Sequence, residues 1–163
     1  MLRFLKAFRD PWVVVQFAWF ALVLAGIPLL ARRLPPAAGG GAALRLAGVV
    51  AAVLGAVVLV RGGTTLGANL VPTVRPRRDA TLVTHGIYAL VRHPIYLGAT
   101  LLLFAWAARP GHLAPALAVF GTSLLFFTLK ARAEERLLLD RFPDYAAYQR
   151  RVGMLLPRLR AAR

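Results

Sequence analysis

Residues 12–31 form a run of twenty residues without a charged side chain. As a helix, this run would be about 30 Å long, which matches the hydrocarbon core of a bilayer. A cleaved signal peptide is the alternative, because Arg3, Lys6 and Arg9 precede the run. Signal peptides usually have an apolar region of about 7–15 residues that ends at a small-residue cleavage site. Since this run is longer and continues through the apolar residues 27–30, we favour a retained first membrane span.

Three further apolar runs follow, and breaker residues separate them. The second extends from about residue 42 to residue 60, after a linker at 32–41 that is rich in proline and glycine. The third, Pro94–Ala108, is short for a membrane span and needs a locally thinned bilayer or an added turn. The fourth covers residues 113–129. It returns antiparallel beside the third, because only the tight connection 109–112 joins them.

The composition supports insertion into a membrane. Apolar residues make up 59% of the chain, charged residues make up 17%, and the mean hydropathy is +0.64. Disordered chains have low hydrophobicity, so that class is excluded, and soluble domains contain only about 45–50% apolar residues, so the composition also argues strongly against a soluble globule. The absence of cysteine excludes disulfides, thiolate metal sites and cysteine nucleophiles. We therefore predict a single domain over residues 1–163, an all-α polytopic membrane bundle with about four transmembrane helices.

The segment after the fourth run is charged but keeps apolar residues at roughly helical spacing. These apolar positions are Leu137, Leu138, Phe142, Tyr145, Tyr148 and Val152. Their spacing predicts an interfacial tail of amphipathic helices rather than a fifth span. We interpret Tyr145 and Tyr148 as part of an aromatic belt at the membrane surface.

Positive charge is concentrated on one side of this topology. The chain has 21 lysine and arginine residues against six acids, which gives a net charge of +15. In a soluble protein such an excess indicates nucleic-acid binding. With the N-terminus inside, however, seventeen of the cations and all six acids fall on the inner side. The positive-inside rule then predicts cytoplasmic N- and C-termini in a bacterial inner membrane, with no nucleic-acid partner. The four outer cations are Arg32, Arg33, Arg45 and Arg109.

Two polar clusters flank the predicted hairpin of the third and fourth spans. Residues 86–98 read GIYALVRHPIYLG and lead into the third span, while residues 134–138 read EERLL and follow the fourth. Because the hairpin is tight, we expect these clusters to lie side by side on the cytoplasmic face. Pro94 suits the first turn of a helix, whose free amide donors favour an anion. Gly98 allows a ligand or a neighbouring helix to approach the backbone closely.

The same clusters carry a resemblance to a known family. GIYALVRHPIYLG followed by EERLLLDRFPDYAAYQRRVGMLLP resembles the phospholipid methyltransferase and isoprenylcysteine carboxyl methyltransferase superfamily of integral membrane enzymes. The resemblance covers about residues 66–157, and the first two spans match only as generic apolar helices. Ile87 stands where the family pattern usually has proline. The resemblance implies an enzyme that transfers a methyl group from S-adenosylmethionine.

The resemblance also implies which residues hold this cofactor. Arg92 and His93, together with the helix start at Pro94, would bind its carboxylate. Glu134 or Glu135 would accept hydrogen bonds from its ribose or ammonium group. Adjacent helical positions point about 100° apart, so one of the two faces the cofactor and the other pairs with an arginine. The expected cofactor contacts are Tyr88, Arg92, His93, Pro94, Tyr96, Gly98, Glu134 and Glu135, with Arg92, His93 and Glu135 as the catalytic residues.

Methyl transfer from a sulfonium depends on alignment rather than on a nucleophilic side chain. The acceptor that the resemblance implies is a membrane lipid or a lipidated protein, through a phospholipid amine or an isoprenylcysteine carboxylate. We expect an apolar chain to reach the site past the glycines Gly62, Gly63, Gly67 and Gly98. Two other functions stay open, a non-catalytic membrane interaction protein and a membrane reductase that uses a nicotinamide cofactor. No metal site is expected, because the three histidines are scattered.

Overall fold

Five α-helices make up most of the part of the chain that the structure describes. The structure, a computed structural model, describes residues 10–35, 39–71, 73–74 and 80–158. The helices are α1 (Pro11–Ala31), α2 (Gly41–Leu66), α3 (Pro94–Ala108), α4 (Leu113–Arg141) and α5 (Tyr145–Arg151), with 3-10 turns at Gly67–Asn69 and Gly86–Ala89. The described residues contain no β-strand, which confirms the predicted all-α class.

Three helical segments are long and apolar enough to cross a membrane, namely Pro11–Ala31, Gly41–Asn69 and Leu113–Arg141. Helix α3 is also apolar, but its 15 residues give a length of only about 22 Å. The predicted four-helix membrane bundle is therefore confirmed, with one short member. The fourth helix does not stop at residue 129, where the apolar run ends. It continues to Arg141, because no proline or glycine interrupts it before Pro143.

One end of the bundle, which we call the site end, gathers the start of α1, the start of α3 and the last turns of α4. Asp10 caps α1 by accepting a hydrogen bond from the Trp12 amide at 2.9 Å. Its second carboxylate oxygen accepts from the Val74 amide at 3.1 Å, which ties α1 to the connection between α2 and α3. The connections around residues 39–40 and 109–112 lie at the opposite end, which we call the far end.

Helices α2 and α3 pack through glycines spaced seven residues apart on α2. A methyl group built on Gly55 would lie 3.0 Å from the Gly98 carbonyl oxygen, and one built on Gly98 would lie 2.8 Å from that of Gly55. A methyl group on Gly62 would meet the Ile95 side chain at 2.9 Å. The close approach expected at Gly98 is therefore made by a helix. The predicted path for an apolar chain is wrong at Gly62 and Gly98, because α2 and α3 fill that space.

The aromatic residues of the tail are buried rather than interfacial. Tyr145 and Tyr148 are 1% and 3% exposed and pack with Val152 against the partly buried Leu82 and Leu138. Their interpretation as an aromatic belt is therefore wrong. The physical reason is that α5 folds back over the site end, where the two rings fill a small second core.

The two ends of the bundle should lie on opposite sides of the membrane. Because the chain has no cysteine, Gly39→Cys at the far end and Ala80→Cys between α2 and α3 give unique labels. We expect an impermeant maleimide added to intact cells to label Gly39→Cys, and to label Ala80→Cys only after permeabilisation. Labelling of both variants in intact cells would contradict a membrane crossing by α2 and the inward position of the site end.

Candidate active site at the junction of α3 and α4

A buried carboxylate, that of Glu135 on α4, is the centre of the site. Its Oε1 accepts a hydrogen bond from Nε of Arg92 at 2.7 Å and lies 3.0 Å from Nε2 of His93. Its Oε2 accepts from Nε2 of Gln149 at 2.8 Å. The tight turn between α3 and α4 thus brings together the two clusters that the sequence separates by about forty residues. Charge-assisted hydrogen bonds of this kind are roughly twice as strong as neutral ones.

Arg92 is held by the protein on several sides. Besides Glu135, its guanidinium donates to the backbone carbonyls of Gln149, at 3.0 Å, and of Val152. The side chain is buried, and its Nε and Nη1 groups are directed at protein acceptors. Arg92 is therefore the partner of Glu135. The sequence led us to expect that one of the two adjacent glutamates, Glu134 or Glu135, pairs with an arginine.

The last residues of α5 and the short stretch that follows them complete the site, and we call residues 149–154 the strap. The amides of Arg92 and His93 donate to the carbonyls of Gly153 and Met154, at 2.9 and 3.0 Å. These bonds form a parallel bridge between Val91 and Gly153. At Gly153 an added methyl group would collide with the Leu156 carbonyl, so the strap requires glycine there. Sequence reasoning missed the strap, although the end of the tail belonged to the pattern that carried the resemblance.

The second glutamate, Glu134, has a different environment. Its Oε2 accepts from the Tyr96 hydroxyl at 2.7 Å and lies 3.7 Å from Nδ1 of His93. The Glu134 side chain is 26% exposed, whereas that of Glu135 is 5% exposed. The His93 and Tyr96 rings are parallel with their centres 5.3 Å apart, and the Phe127 ring also stacks with Tyr96, at 5.1 Å. The imidazole thus lies between two carboxylates, on a wall of aromatic rings.

A buried lysine adjoins this aromatic wall. Lys130 on α4 is fully buried, and its Nζ lies 5.3 Å from the centre of the Tyr96 ring. Its ammonium also donates to the side-chain carbonyl of Gln16 on α1. Sequence reasoning missed both residues as members of the site. The signal was present, because Gln16 is the one amide side chain in an otherwise apolar first run.

The remaining expected residues occupy the edges of the site. Pro94 is the first residue of α3, directly after His93, and is buried. The Tyr88 hydroxyl donates to the Gly62 carbonyl at 3.4 Å, and the Tyr88 carbonyl accepts from Tyr148 at 2.6 Å. Burial raises the pKa of Tyr148 to about 12, so its hydroxyl remains a donor at neutral pH. Gly98 faces α2 and lies away from the two glutamates.

Comparison with known proteins identifies the family. The sequence profile described as phospholipid methyltransferase matches residues 39–144, which include Arg92, His93, Glu134 and Glu135. The chain belongs to the phospholipid methyltransferase family. The profile begins with α2, so the second span is part of the family match rather than a generic apolar helix. Helix α1 and the strap lie outside the matched range.

Individual members of this family support the assignment. The chain is 33% identical over 119 residues to the protein-S-isoprenylcysteine O-methyltransferase of Tribolium castaneum, covering 68% of this chain and 40% of that protein. It is 39% identical over 94 residues to the methanethiol S-methyltransferase of Pseudomonas deceptionensis, with coverages of 53% and 33%. It is 36% identical over 83 residues to the cobalt-zinc-cadmium resistance protein CzcN of Cupriavidus metallidurans, with coverages of 51% and 38%. The chain thus spans a third to two-fifths of these relatives.

A solved structure supports the same fold. The eukaryotic intramembrane Ras methyltransferase ICMT (isoprenylcysteine carboxyl methyltransferase) superimposes with a TM-score of 0.66 at 32% identity. The match covers 70% of this chain and 42% of the ICMT chain. The helical membrane architecture that the resemblance implied is therefore confirmed for this member of the phospholipid methyltransferase family.

Proposed function

We propose that the protein is a membrane methyltransferase that uses S-adenosylmethionine and methylates a membrane-soluble or lipid-anchored acceptor. The observation that carries the proposal is the buried Glu135 carboxylate, which fixes Arg92 and His93 at the start of α3. The printed names of the relatives cover two acceptor chemistries, a thiol and an isoprenylcysteine carboxyl, and the family name adds phospholipids. We therefore assign the acceptor only to the class of apolar or lipid-like molecules.

The residues of the site fit the chemical groups of this cofactor. Its ammonium and ribose hydroxyls need acceptors, and the partly exposed carboxylate of Glu134 could accept hydrogen bonds from them. Its carboxylate needs donors, which Nδ1 of His93 and the amides of Ile95 and Tyr96 in the first turn of α3 could supply. Its sulfonium suits the face of an aromatic ring such as that of Tyr96. When bound, the cofactor supplies an electrophilic methyl group.

The two glutamates then have separate roles. Glu134 is the glutamate that we place against the cofactor, because its side chain is the more exposed of the two. Glu135 and Arg92 act as positioning residues, since they bind each other and the strap. The proposal thus assigns Glu134 to the cofactor and Glu135 to Arg92.

Catalysis in this arrangement depends on orientation. In an in-line displacement the acceptor atom forms a bond to the methyl carbon as the carbon–sulfur bond breaks, and the sulfur leaves as a neutral thioether. A carboxylate or thiolate acceptor loses no proton, whereas an amine must arrive deprotonated. The aromatic wall and the strap would exclude water from the reacting atoms, and correct alignment can supply several kcal/mol of the barrier. The positive-inside distribution supports a site end that faces the cytosol.

Cofactor binding tests the proposal directly. We expect the purified full chain to bind S-adenosylhomocysteine in isothermal titration calorimetry and not to bind NADPH. His93→Ala should weaken S-adenosylhomocysteine binding by about tenfold to hundredfold, the usual effect of losing a charge-assisted hydrogen bond. Arg136→Gln, an exposed neighbour of the glutamates, is the matched control and should bind normally. Binding of NADPH alone would support a reductase, and binding of neither would support an interaction protein.

A further inference from the structure

A cavity of about 320 Å³ lies at the far end of the bundle. Its lining consists of Ile27, Pro28, Trp106, Arg109 and Pro110. The length of α3 separates it from His93 by about 22 Å, so it plays no part in the site described above. Four of its five lining residues are apolar or aromatic, and the fifth is a cation.

The cation at this cavity, Arg109, packs against an aromatic ring. The Arg109 guanidinium lies 4.4 Å from the centre of the Trp106 ring, in the geometry of a cation–π contact. Arg109 is exposed, whereas Trp106 is partly buried. The contact holds a positive charge at the mouth of an apolar cavity.

The depth of Arg109 creates a need for an anion. Helix α3 is about 8 Å shorter than the roughly 30 Å hydrocarbon core, so Arg109 lies below the usual level of the headgroups when α3 is centred in the bilayer. The neighbouring helix α1 continues for almost one turn beyond Pro28 before it ends at Ala31. A charged side chain at this depth is costly unless it has a partner of opposite charge.

No acid of the described chain supplies that partner at the far end. Four arginines belong to this end, namely Arg32, Arg33, Arg45 and Arg109. The acids in the described ranges lie at the cap of α1, near the end of α4 and at the start of α5. They are Asp10, Glu134, Glu135, Asp140 and Asp144. The far end is therefore positively charged and complementary to an anion that comes from the membrane.

We propose that this cavity binds an anionic phospholipid of the leaflet at the far end. The phosphate lies against the Arg109 guanidinium, and the first part of an acyl chain lies in the cavity against Ile27 and Pro110. A phospholipid satisfies both features at once, since it joins a negative charge to an apolar chain. Neither a free phosphate nor an uncharged diacylglycerol does so.

Native mass spectrometry of the full chain in detergent tests this site. We expect phosphatidylglycerol to bind to the unaltered protein and its affinity to fall at least tenfold in Arg109→Gln. Arg45→Gln is the matched control, because it removes an exposed arginine from the same end without touching the cavity. Inorganic phosphate and diacylglycerol are the two probes that separate charge from chain, and each should bind at least tenfold more weakly.

Three results would overturn the proposal. They are unchanged lipid affinity in Arg109→Gln, an equal loss of affinity in Arg45→Gln, and binding of inorganic phosphate or diacylglycerol as tight as that of phosphatidylglycerol. The thermal transition of each variant, recorded without added lipid, separates a lost site from a lost fold. Because Arg109 is exposed, we expect both variants to keep the transition of the parent.

Discussion

Glu135→Ala is expected to destabilise the site end by about 3–5 kcal/mol and to abolish binding of S-adenosylhomocysteine. The variant would leave the buried Arg92 guanidinium without its counter-charge, which is the usual reason why breaking a buried ion pair is so costly. His93 and Gln149 would lose a hydrogen-bond partner at the same time. Thermal unfolding in detergent and calorimetric titration measure the two effects separately.

Arg136→Gln serves as the control here too, because it removes the charge of the residue that follows Glu135, and Arg136 is exposed. Glu135→Gln should fall between the two, because the amide keeps the volume and one acceptor but removes the negative charge. If Glu135→Ala melts like the parent, the carboxylate does not hold Arg92 in place. If it melts early but still binds S-adenosylhomocysteine at full affinity, the Glu135 network is structural and lies apart from the cofactor.

Gly98→Leu is expected to have the second largest effect, a loss of packing between α2 and α3. Even a methyl group at this position would lie 2.8 Å from the Gly55 carbonyl oxygen and 2.9 Å from Cβ of Leu59. The nearest of these atoms belongs to a backbone, which cannot rotate away as a side chain can. Overpacking of this kind typically costs about 1–3 kcal/mol, and a leucine should reach the upper part of that range.

The matched control is Gly121→Leu on α4. An added methyl group at Gly121 would meet no atom within 4 Å, and the position is exposed on the face of α4 that suits lipid. We expect Gly121→Leu to leave the thermal transition unchanged or slightly raised, because leucine forms helix better than glycine does. Equal melting of the two leucine variants would refute the close contact between α2 and α3.

The sequence alone predicted those structural features that residues close together in the chain determine. Apolar runs locate the membrane helices, and Pro94 marks the first residue of α3. The tight connection at 109–112 fixes α3 and α4 as neighbours, so the proximity of Arg92 to Glu135 could be predicted as well. Each of these features depends on residues that are close in the chain, or on a hairpin that leaves one possible arrangement.

Features that depend on distant residues could not be predicted in the same way. The contact between Gln16 and Lys130 joins residues 114 positions apart, and a helical period does not say which helix a polar side chain will meet. Gly98 is compatible with a ligand or with a helix, and only the placement of α2 decides between them. Tyr145 has the spacing of an interfacial residue, but the fold buries it.

The strap has a consequence for what each part of the chain contributes to the site. Residues 149–154 follow all four membrane helices in the chain, so a chain truncated after Arg141 keeps the helices that carry Arg92 and Glu135 but lacks the carbonyls of Gln149 and Gly153. Insertion into the bilayer and completion of the site are therefore separate requirements. Such a truncated chain would form an inserted bundle in which the Arg92 and His93 amides lack their acceptors.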